Sequence, residues 1–166
     1  MNPKVRYLTR AAMVAAIYAA LTLLLAPISF SFTGAVQFRI SEALTVLPLA
    51  MSEAVPGLAI GCLVANLLAG AALPDVVFGT LATLLAAMTT RALRAKPLAA
   101  MAAPVVFNGL IVGPVVYFCY LMGSSALSVS MLAMSCLSVA IGEAVVVYLP
   151  GTVLYRGMSR IACYIK

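Results

Sequence analysis

The sequence predicts an all-α integral membrane protein, a bundle of about six transmembrane helices in a single domain over residues 1–166. Of its 166 residues, 65% are hydrophobic and 8% are charged, whereas about 25% of the residues in a soluble domain are charged. A membrane-spanning helix needs about 20 residues. The length therefore suits about six spans joined by short loops, and we expect no separate soluble domain.

Proline, glycine and charged residues divide the chain into apolar stretches, each of which is a predicted helix. The stretches lie near residues 8–26, 39–52, 55–69, 76–93, 98–122 and 127–156. The second and third are short, because a rise of 1.5 Å per residue gives each a length of only about 20 Å. We expect them to lie among longer neighbours or to be extended by loops that enter the protein interior.

The basic residues predict the orientation of the bundle. Nine of the ten Lys and Arg residues fall on the side that holds both termini and the end of the fourth helix. They are Lys4, Arg6, Arg10, Arg91, Arg94, Lys96, Arg156, Arg160 and Lys166. Because basic loops remain in the cytoplasm, both termini are predicted to be cytoplasmic. A signal peptide is the alternative for the N-terminus, but the apolar run ends at Pro27 without a small-x-small cleavage site, which favours a retained helix.

The tenth basic residue, Arg39, lies at the junction of the first outer loop and the second helix. It belongs to the densest polar run of the chain, Gln37-Phe38-Arg39-Ile40-Ser41-Glu42. One interpretation is an interfacial arginine whose charged end reaches the lipid headgroups. The concentration of polar residues favours a binding loop instead.

The acidic residues differ in their surroundings. Glu53 lies in a tight inner turn, and we expect it to be structural. Glu42 follows Arg39 by three residues, so the two side chains can share a helix face and partly neutralise each other. Asp75 follows Pro74 and suits an N-cap of the fourth helix, with ligand contact as an additional role.

Polar residues of several helices are expected to meet in one pocket. Gln37, Arg39 and Glu42 approach from outside, Asn66 and Asp75 flank the next outer loop, and Tyr117 and Tyr120 end the fifth helix. Glu143 lies within the last apolar stretch with no basic residue nearby in sequence, so it needs a partner or a proton. With Asn108 it would form the floor of a pocket that opens outward. Each asparagine alone is equally well explained by a hydrogen bond between helices.

Two overlapping stripes of small residues lie along the first helix. One contains Ala11, Ala15 and Ala19, and the other contains Ala12, Ala16 and Ala20. Small residues at this spacing let another helix approach closely. The pattern is consistent both with contact to a second protein and with packing inside the chain.

Several classes of function lack their sequence signatures. No GxxxxGK(S/T) phosphate loop is present, which excludes ATP binding by that route. No GxSxG or HExxH motif supports an enzyme. Four cysteines without CxxC spacing, in a chain with no histidine, predict neither a metal site nor a disulfide framework. The net charge of +6 is not gathered on one face, which argues against nucleic acid. We therefore expect no catalytic residue, metal or cofactor.

Three stretches of the sequence resemble the QueT family, the substrate-binding S-components of energy-coupling factor (ECF) transporters for queuosine precursors. They are VQFRISEALTVLP at 36–48, PGLAIGCLVAN at 56–66 and DVVFGTLATL at 75–84. The likeness covers most of the chain, and the first stretch is the most specific. S-components also carry an AxxxA motif in the first helix that docks on the membrane coupling subunit. Ala11, Ala15 and Ala19 match this motif, and so does the overlapping stripe.

The resemblance implies a six-helix ECF S-component in the bacterial plasma membrane that captures a 7-deazaguanine (preQ0, preQ1 or queuine) from outside. Its partners would be the coupling subunit EcfT and two ATP-binding subunits. The substrate-binding residues expected on this basis are Gln37, Phe38, Arg39, Glu42, Asn66, Asp75, Asn108, Tyr117 and Glu143. Carboxylates would accept from N1–H and the exocyclic N–H, amides or arginine would donate to O6, and aromatic rings would stack on the bicycle. A second carboxylate such as Asp75 would favour the aminomethyl cation of preQ1.

Two other functions remain open at the level of sequence. One is an S-component for a different vitamin-like substrate. The other is an ion-coupled carrier of small solutes that acts without partner subunits and uses Glu143 and Glu42 as protonatable sites.

Overall fold

The computed structural model describes residues 2–29, 38–123 and 127–164, and within these ranges the chain forms helices and no strand. The helices are α1 Pro3–Leu24, α2 Ile40–Leu49, α3 Ala54–Leu68, α4 Leu73–Ala92, α5 Pro97–Leu121, α6 Val129–Tyr148 and α7 Pro150–Tyr164. A single helical turn, Ala26–Ser29, follows α1. The all-α prediction is therefore confirmed for the described residues.

Four helical stretches of the described chain are long and apolar enough to cross a membrane. They are α1, α4, α5 and the stretch Val129–Arg160, which contains α6 and most of α7. Helices α2 and α3 have only 10 and 15 residues, in agreement with their short apolar stretches. These lengths and compositions are those of a multi-pass membrane protein, while six spans and cytoplasmic termini stay predictions.

Among the helix boundaries that differ from the predicted ones, two have clear local causes. Helix α1 begins at Pro3 because the Asn2 side chain caps it, accepting a hydrogen bond from the Lys4 amide at 3.0 Å, and because proline suits the first helical turn. The last predicted stretch, 127–156, is divided between α6 and α7. Pro150 has no amide hydrogen to donate to the carbonyl four residues earlier, so the helix is interrupted there.

Helix α2 has the tighter 3-10 geometry. A 3-10 helix rises about 2.0 Å per residue, so its 10 residues extend about 20 Å, where an α-helix would extend about 15 Å. Three residues per turn also align every third side chain. Glu42, Thr45 and Pro48 share this alignment, and all three are buried. The short segment thereby gains length and directs Glu42 into the bundle.

One end of the bundle, which we call the basic end, is marked by Arg10, Glu53 and Arg91. Arg10 of α1 forms an ion pair with Glu53 at 3.3 Å, and Arg91 of α4 donates to the Pro48 carbonyl at 3.1 Å. The pKa of Glu53 lies below its ordinary value, because its carboxylate accepts a hydrogen bond from its own backbone amide and another from Arg10. Glu53 therefore has the structural role expected of it. Arg39, at the start of α2, lies toward the opposite end.

Helices α1 and α3 pack closely because α3 has glycines at the contact points. A Cβ on Gly57 would lie 2.7 Å from the Ala11 carbonyl oxygen, and a Cβ on Gly61 would lie 2.8 Å from the Ala15 carbonyl oxygen. Both distances are too short for any side chain, so these positions require glycine. The contact encloses Tyr18, which is fully buried in the core between the two helices.

We expect Gly61→Ala to lower the free energy of unfolding by about 1–3 kcal/mol, because the added methyl group pushes α1 away from α3. Unfolding of the purified protein in detergent measures the change. Gly157→Ala in α7 is the matched control, since nothing lies within 4 Å of its added Cβ and alanine favours a helix over glycine. A Gly61→Ala protein as stable as the control would contradict the close contact.

Candidate functional site

Polar side chains from α2 to α6 meet inside the bundle, and we call them the polar cluster. They are Arg39, Glu42, Asn66, Asp75, Asn108 and Glu143. Arg39, whose side chain is 11% exposed, precedes α2, and the other members are at most 6% exposed. A charge or an unpaired polar group is costly at such depth, so the partners of each member define what the cluster can do.

Arg39 connects α2 with α3 and α4. Its NH2 atom donates to Asn66 Oδ1 at 3.1 Å and lies 4.0 Å from Asp75 Oδ2. Gly79 of α4 leaves room for this contact, because a Cβ there would lie 3.1 Å from Asn66 Nδ2 and 3.9 Å from Arg39 NH1. The guanidinium is therefore directed into the bundle, which disfavours the interfacial interpretation of Arg39.

Asp75 is also held from α5. The Tyr120 hydroxyl donates to Asp75 Oδ2 at 3.2 Å and accepts from the Ala72 amide at 3.0 Å. The prediction that Asp75 caps α4 is wrong, because Ala72 occupies the N-cap position and makes no side-chain cap. The helix begins earlier because Pro74 suits its first turn. Asp75 is thereby placed inside the first turn, with its carboxylate toward Arg39.

Glu42 is held by Tyr18, a residue that the sequence pattern did not single out. The fully buried Tyr18 hydroxyl donates to Glu42 Oε1. Thr22, one turn further along α1, is hydrogen-bonded to Ser41 at 2.7 Å. The sequence did contain one indication of this role. Tyr18 and Thr22 are four residues apart, so their hydroxyl groups lie on one face of an apolar helix. Arg39 is the N-cap of α2 and has an extended backbone, so it stands outside the helix on which it was expected to share a face with Glu42.

A narrow cavity lies beside the polar cluster. It is lined by Arg39, Asn108, Val112, Val139 and Glu143. Its volume is about 20 Å³, within a less enclosed space of about 290 Å³ that is partly open to solvent. A guanidinium, an amide and a carboxylate thus share the cavity with two valine side chains. Such a combination of few polar groups and apolar walls is typical of small-molecule sites.

Buried polar atoms of the cluster lack hydrogen-bond partners within the described part of the chain. They are Glu42 Oε2, Asp75 Oδ1, Asn108 Nδ2 and Glu143 Oε1. Leaving such an atom unpaired costs about 1–3 kcal/mol. A ligand with several donors and at least one acceptor would remove this cost.

Helix α5 positions Asn108 through a widened stretch of backbone. Residues Asn108–Val112 have the π-helical hydrogen-bond pattern, which is rare and often found at functional sites. Just beyond it, the Gly113 carbonyl accepts a hydrogen bond from Ser135 of α6 at 2.8 Å. The two helices are therefore close at this level, and Asn108 faces the same cavity as Glu143.

Three of the nine predicted binding residues line the cavity, namely Arg39, Asn108 and Glu143. Glu42, Asn66 and Asp75 belong to the polar cluster but are not part of the lining. The remaining three lie elsewhere or cannot be placed. The Tyr117 hydroxyl accepts a hydrogen bond from the Ser128 amide at 2.8 Å, at the start of α6, and its ring contacts Phe118 edge-on. Phe38 is half-buried and precedes α2. Gln37 lies outside the described residues.

The two alanine stripes of α1 differ in exposure. Ala11 and Ala19 are 7% and 8% exposed, and the Ala11 and Ala15 carbonyls face Gly57 and Gly61 of α3. The exposed stripe contains Ala12, Ala16 and Ala20. The first stripe therefore packs inside the chain, and the second remains at the surface.

Comparison with known proteins agrees with the resemblance seen in the sequence. A family model described as QueT transporter matches residues 8–160, a range that includes the whole polar cluster. A search of curated proteins and a search of solved structures each gave no match. The match covers most of the chain. It includes the four stretches of the described chain that are long enough to span a membrane, except for the first residues of α1. The protein therefore belongs to the QueT transporter family.

Proposed function

We propose that this protein is the substrate-binding S-component of an ECF-type transporter in the bacterial plasma membrane, and that it captures a queuosine precursor from outside the cell. The observation that carries the proposal is the cavity beside the polar cluster. There, the Asn108 and Glu143 side chains neighbour each other, and neither Glu143 Oε1 nor Asn108 Nδ2 forms a hydrogen bond of good geometry within the described residues. Membership of a transporter family supports the transport role, and the buried polar atoms support a polar ligand.

The edge of a 7-deazaguanine complements these atoms. One carboxylate can accept from both its N1–H and its exocyclic N–H, and Glu143, which lines the cavity, would take this role. The carbonyl oxygen O6 accepts from an amide or a guanidinium, such as Asn108 or Arg39. Val112 and Val139 offer apolar surface to the faces of the bicycle. The cavity would thus pair the ligand's polar edge and cover its rings.

Binding of a bicycle requires the cavity to widen. A ligand of roughly 13 heavy atoms reaches nanomolar affinity only if most of its polar edges are paired. The cavity has a volume of only about 20 Å³, which is less than such a ligand needs. Rotation of the Asn108 and Glu143 side chains would enlarge it, and side-chain rotations of this kind are common on binding.

The other subunits of the transporter would be the coupling subunit EcfT and two ATP-binding subunits, since this sequence has no phosphate loop. We assign the docking surface on α1 to the exposed stripe, Ala12, Ala16 and Ala20. Ala11 and Ala15 are covered by α3. The stripe Ala11, Ala15 and Ala19, which was expected to contact the coupling subunit, is therefore less suited to that contact. Small exposed residues let a helix of the coupling subunit approach closely.

Titration of the purified protein with preQ1, preQ0, queuine and a panel of vitamins tests the proposed substrate. We expect at least one 7-deazaguanine to bind with micromolar affinity or tighter and the vitamins not to bind. Isothermal calorimetry in detergent measures both. Binding of a vitamin alone would replace the substrate but keep the S-component role, and binding of no 7-deazaguanine would refute the substrate proposal.

We expect Glu143→Gln to weaken binding of the 7-deazaguanine about tenfold or more, because a hydrogen bond to a charged group contributes about 1.5–3 kcal/mol. The same titration measures the change. Glu53→Gln is the matched control, since that carboxylate lies at the basic end, away from the cavity. Equal affinities of the two variants would show that Glu143 does not contact the ligand.

We expect Ala16→Leu to reduce ATP-driven uptake by proteoliposomes that contain the complete transporter, while ligand binding stays unchanged. The larger side chain would hold the coupling subunit away from α1. Ala133→Leu, at an exposed position of α6, is the matched control. Uptake that survives Ala16→Leu would exclude this docking surface.

The alternative function, an ion-coupled carrier, has its own test. Liposomes that contain only this protein and take up substrate under a proton gradient, without ATP, would favour it.

A further inference from the structure

Groups outside the cavity lining hold the Arg39 side chain. Its NH2 atom donates to Asn66 Oδ1 of α3 at 3.1 Å and lies 4.0 Å from Asp75 Oδ2 of α4. The Tyr120 hydroxyl of α5 donates to the same Asp75 oxygen at 3.2 Å. Arg39 lines the cavity, whereas Asn66, Asp75 and Tyr120, which we call the arginine clamp, are not part of its lining. A ligand in the cavity would therefore meet Arg39, and the clamp would act on the ligand through Arg39.

The members of the clamp also hold one another. Asn66 Nδ2 donates to the Asp75 carbonyl oxygen at 3.4 Å, and the Tyr120 hydroxyl accepts from the Ala72 amide at 3.0 Å. The second carboxylate oxygen of Asp75, Oδ1, lies beside Gly79, where an added Cβ would be 3.3 Å from it. Asp75 is thus fixed at its backbone and at its carboxylate by contacts from α3 and α5, independently of α2.

Arg39 depends on this support because its own backbone restrains it little. It is the N-cap of α2 and has an extended backbone, and a long side chain of this kind has many rotamers. A guanidinium is planar and carries five N–H donors, so contacts at one nitrogen fix the directions of the others. Donors that are fixed before binding lower the entropic cost of binding. The clamp therefore prepares Arg39 to donate into the cavity that it lines.

Asp75 is less suited to contact a cationic ligand than its charge suggests. Its side chain is 3% exposed, and its Oδ2 atom faces both Arg39 and Tyr120. An ammonium group at Asp75 would lie close to the guanidinium, and like charges repel strongly where water is excluded. It would also compete for the counter-charge that a buried guanidinium needs. The carboxylate is therefore matched to Arg39.

We infer that Asp75 is a positioning residue, that the arginine clamp orients the Arg39 guanidinium, and that Arg39 donates to the carbonyl oxygen of the ligand. The inference rests on the proposed function, since Arg39 lines the same cavity. It replaces two expectations, the contact of Asp75 with the aminomethyl cation of preQ1 and the direct contact of Asn66 with the ligand. Arg39 is preferred to Asn108 for this role because charge-assisted hydrogen bonds are the stronger ones.

A double-mutant cycle of Asp75→Asn and Arg39→Gln separates positioning from direct contact. Asparagine keeps an oxygen that can accept from Tyr120. We expect Asp75→Asn to weaken binding about fivefold or more when Arg39 is present, and less than about twofold in the Arg39→Gln protein, because the effects of coupled residues are not additive. Isothermal calorimetry with preQ0, preQ1 and queuine measures each affinity. Equal losses in the two backgrounds would overturn the positioning role, since a direct contact or a general loss of structure does not depend on Arg39.

The charge of the probe gives a second comparison within the Asp75→Asn protein alone. The nitrile of preQ0 is neutral, and the aminomethyl group of preQ1 is positively charged. We expect equal fold losses of affinity for both compounds, because they share the carbonyl oxygen that Arg39 contacts. A loss confined to preQ1 would show that Asp75 contacts the cation and would overturn the inference.

Tyr120→Phe tests the clamp without removing a charge. It deletes the hydroxyl that donates to Asp75, and we expect binding of preQ0 and preQ1 to weaken about threefold, since one hydrogen bond of the support is lost. Tyr148→Phe is the matched control, because that hydroxyl donates to the Leu98 carbonyl at 3.1 Å, outside the clamp. Equal affinities of the two variants would overturn the clamp. Failure of preQ0, preQ1 and queuine to bind the unchanged protein would instead refute the proposed function, and the inference with it.

Discussion

The burial of charge inside an apolar bundle is the constraint on which the rest of this structure depends. An ionised side chain at the centre of a bilayer costs about 2.5–3.5 kcal/mol on insertion scales. This protein nevertheless buries Arg39 with acidic residues from α2, α4 and α6. Only neighbouring helices can supply hydrogen-bond and ion-pair partners that lower this cost. The bundle must therefore bring residues that are far apart in sequence within hydrogen-bond distance.

Small residues make that convergence possible. Gly57 and Gly61 let α1 approach α3, and this contact buries Tyr18 where it can reach Glu42. Gly79 leaves room for the contact between Asn66 and Arg39. A membrane bundle has no hydrophobic driving force to hold its helices together, so close van der Waals contact takes its place. Packing and the polar cluster are thus parts of one arrangement.

The two ends of the bundle handle charge differently. At the basic end, Arg10 pairs with Glu53 where the Arg10 side chain is 48% exposed, and such surface pairs contribute little to stability. In the polar cluster the carboxyl groups are buried, and each keeps one oxygen without a hydrogen-bond partner among the residues that the structure describes. The difference lies in access to water, which satisfies the groups at the basic end. A site that limits the access of water and offers buried acceptors is suited to binding.

The sequence by itself determined the class of the protein. Its 65% hydrophobic content leaves a membrane bundle as the only environment for so much apolar surface, and rare polar residues in apolar stretches are conspicuous because each is expensive there. Arg39, Glu42, Asn66, Asp75, Asn108 and Glu143 were therefore recognisable as a group.

The tertiary structure decided what depends on helix rotation and partner choice. Sequence spacing shows which residues share a face of one helix, but not which neighbour that face meets. The role of Tyr18, the assignment of Asp75 to Arg39 and Tyr120, and the engagement of Tyr117 by Ser128 all follow from contacts between different segments. The same holds for α1, where two equivalent alanine stripes are distinguished only because α3 covers one of them.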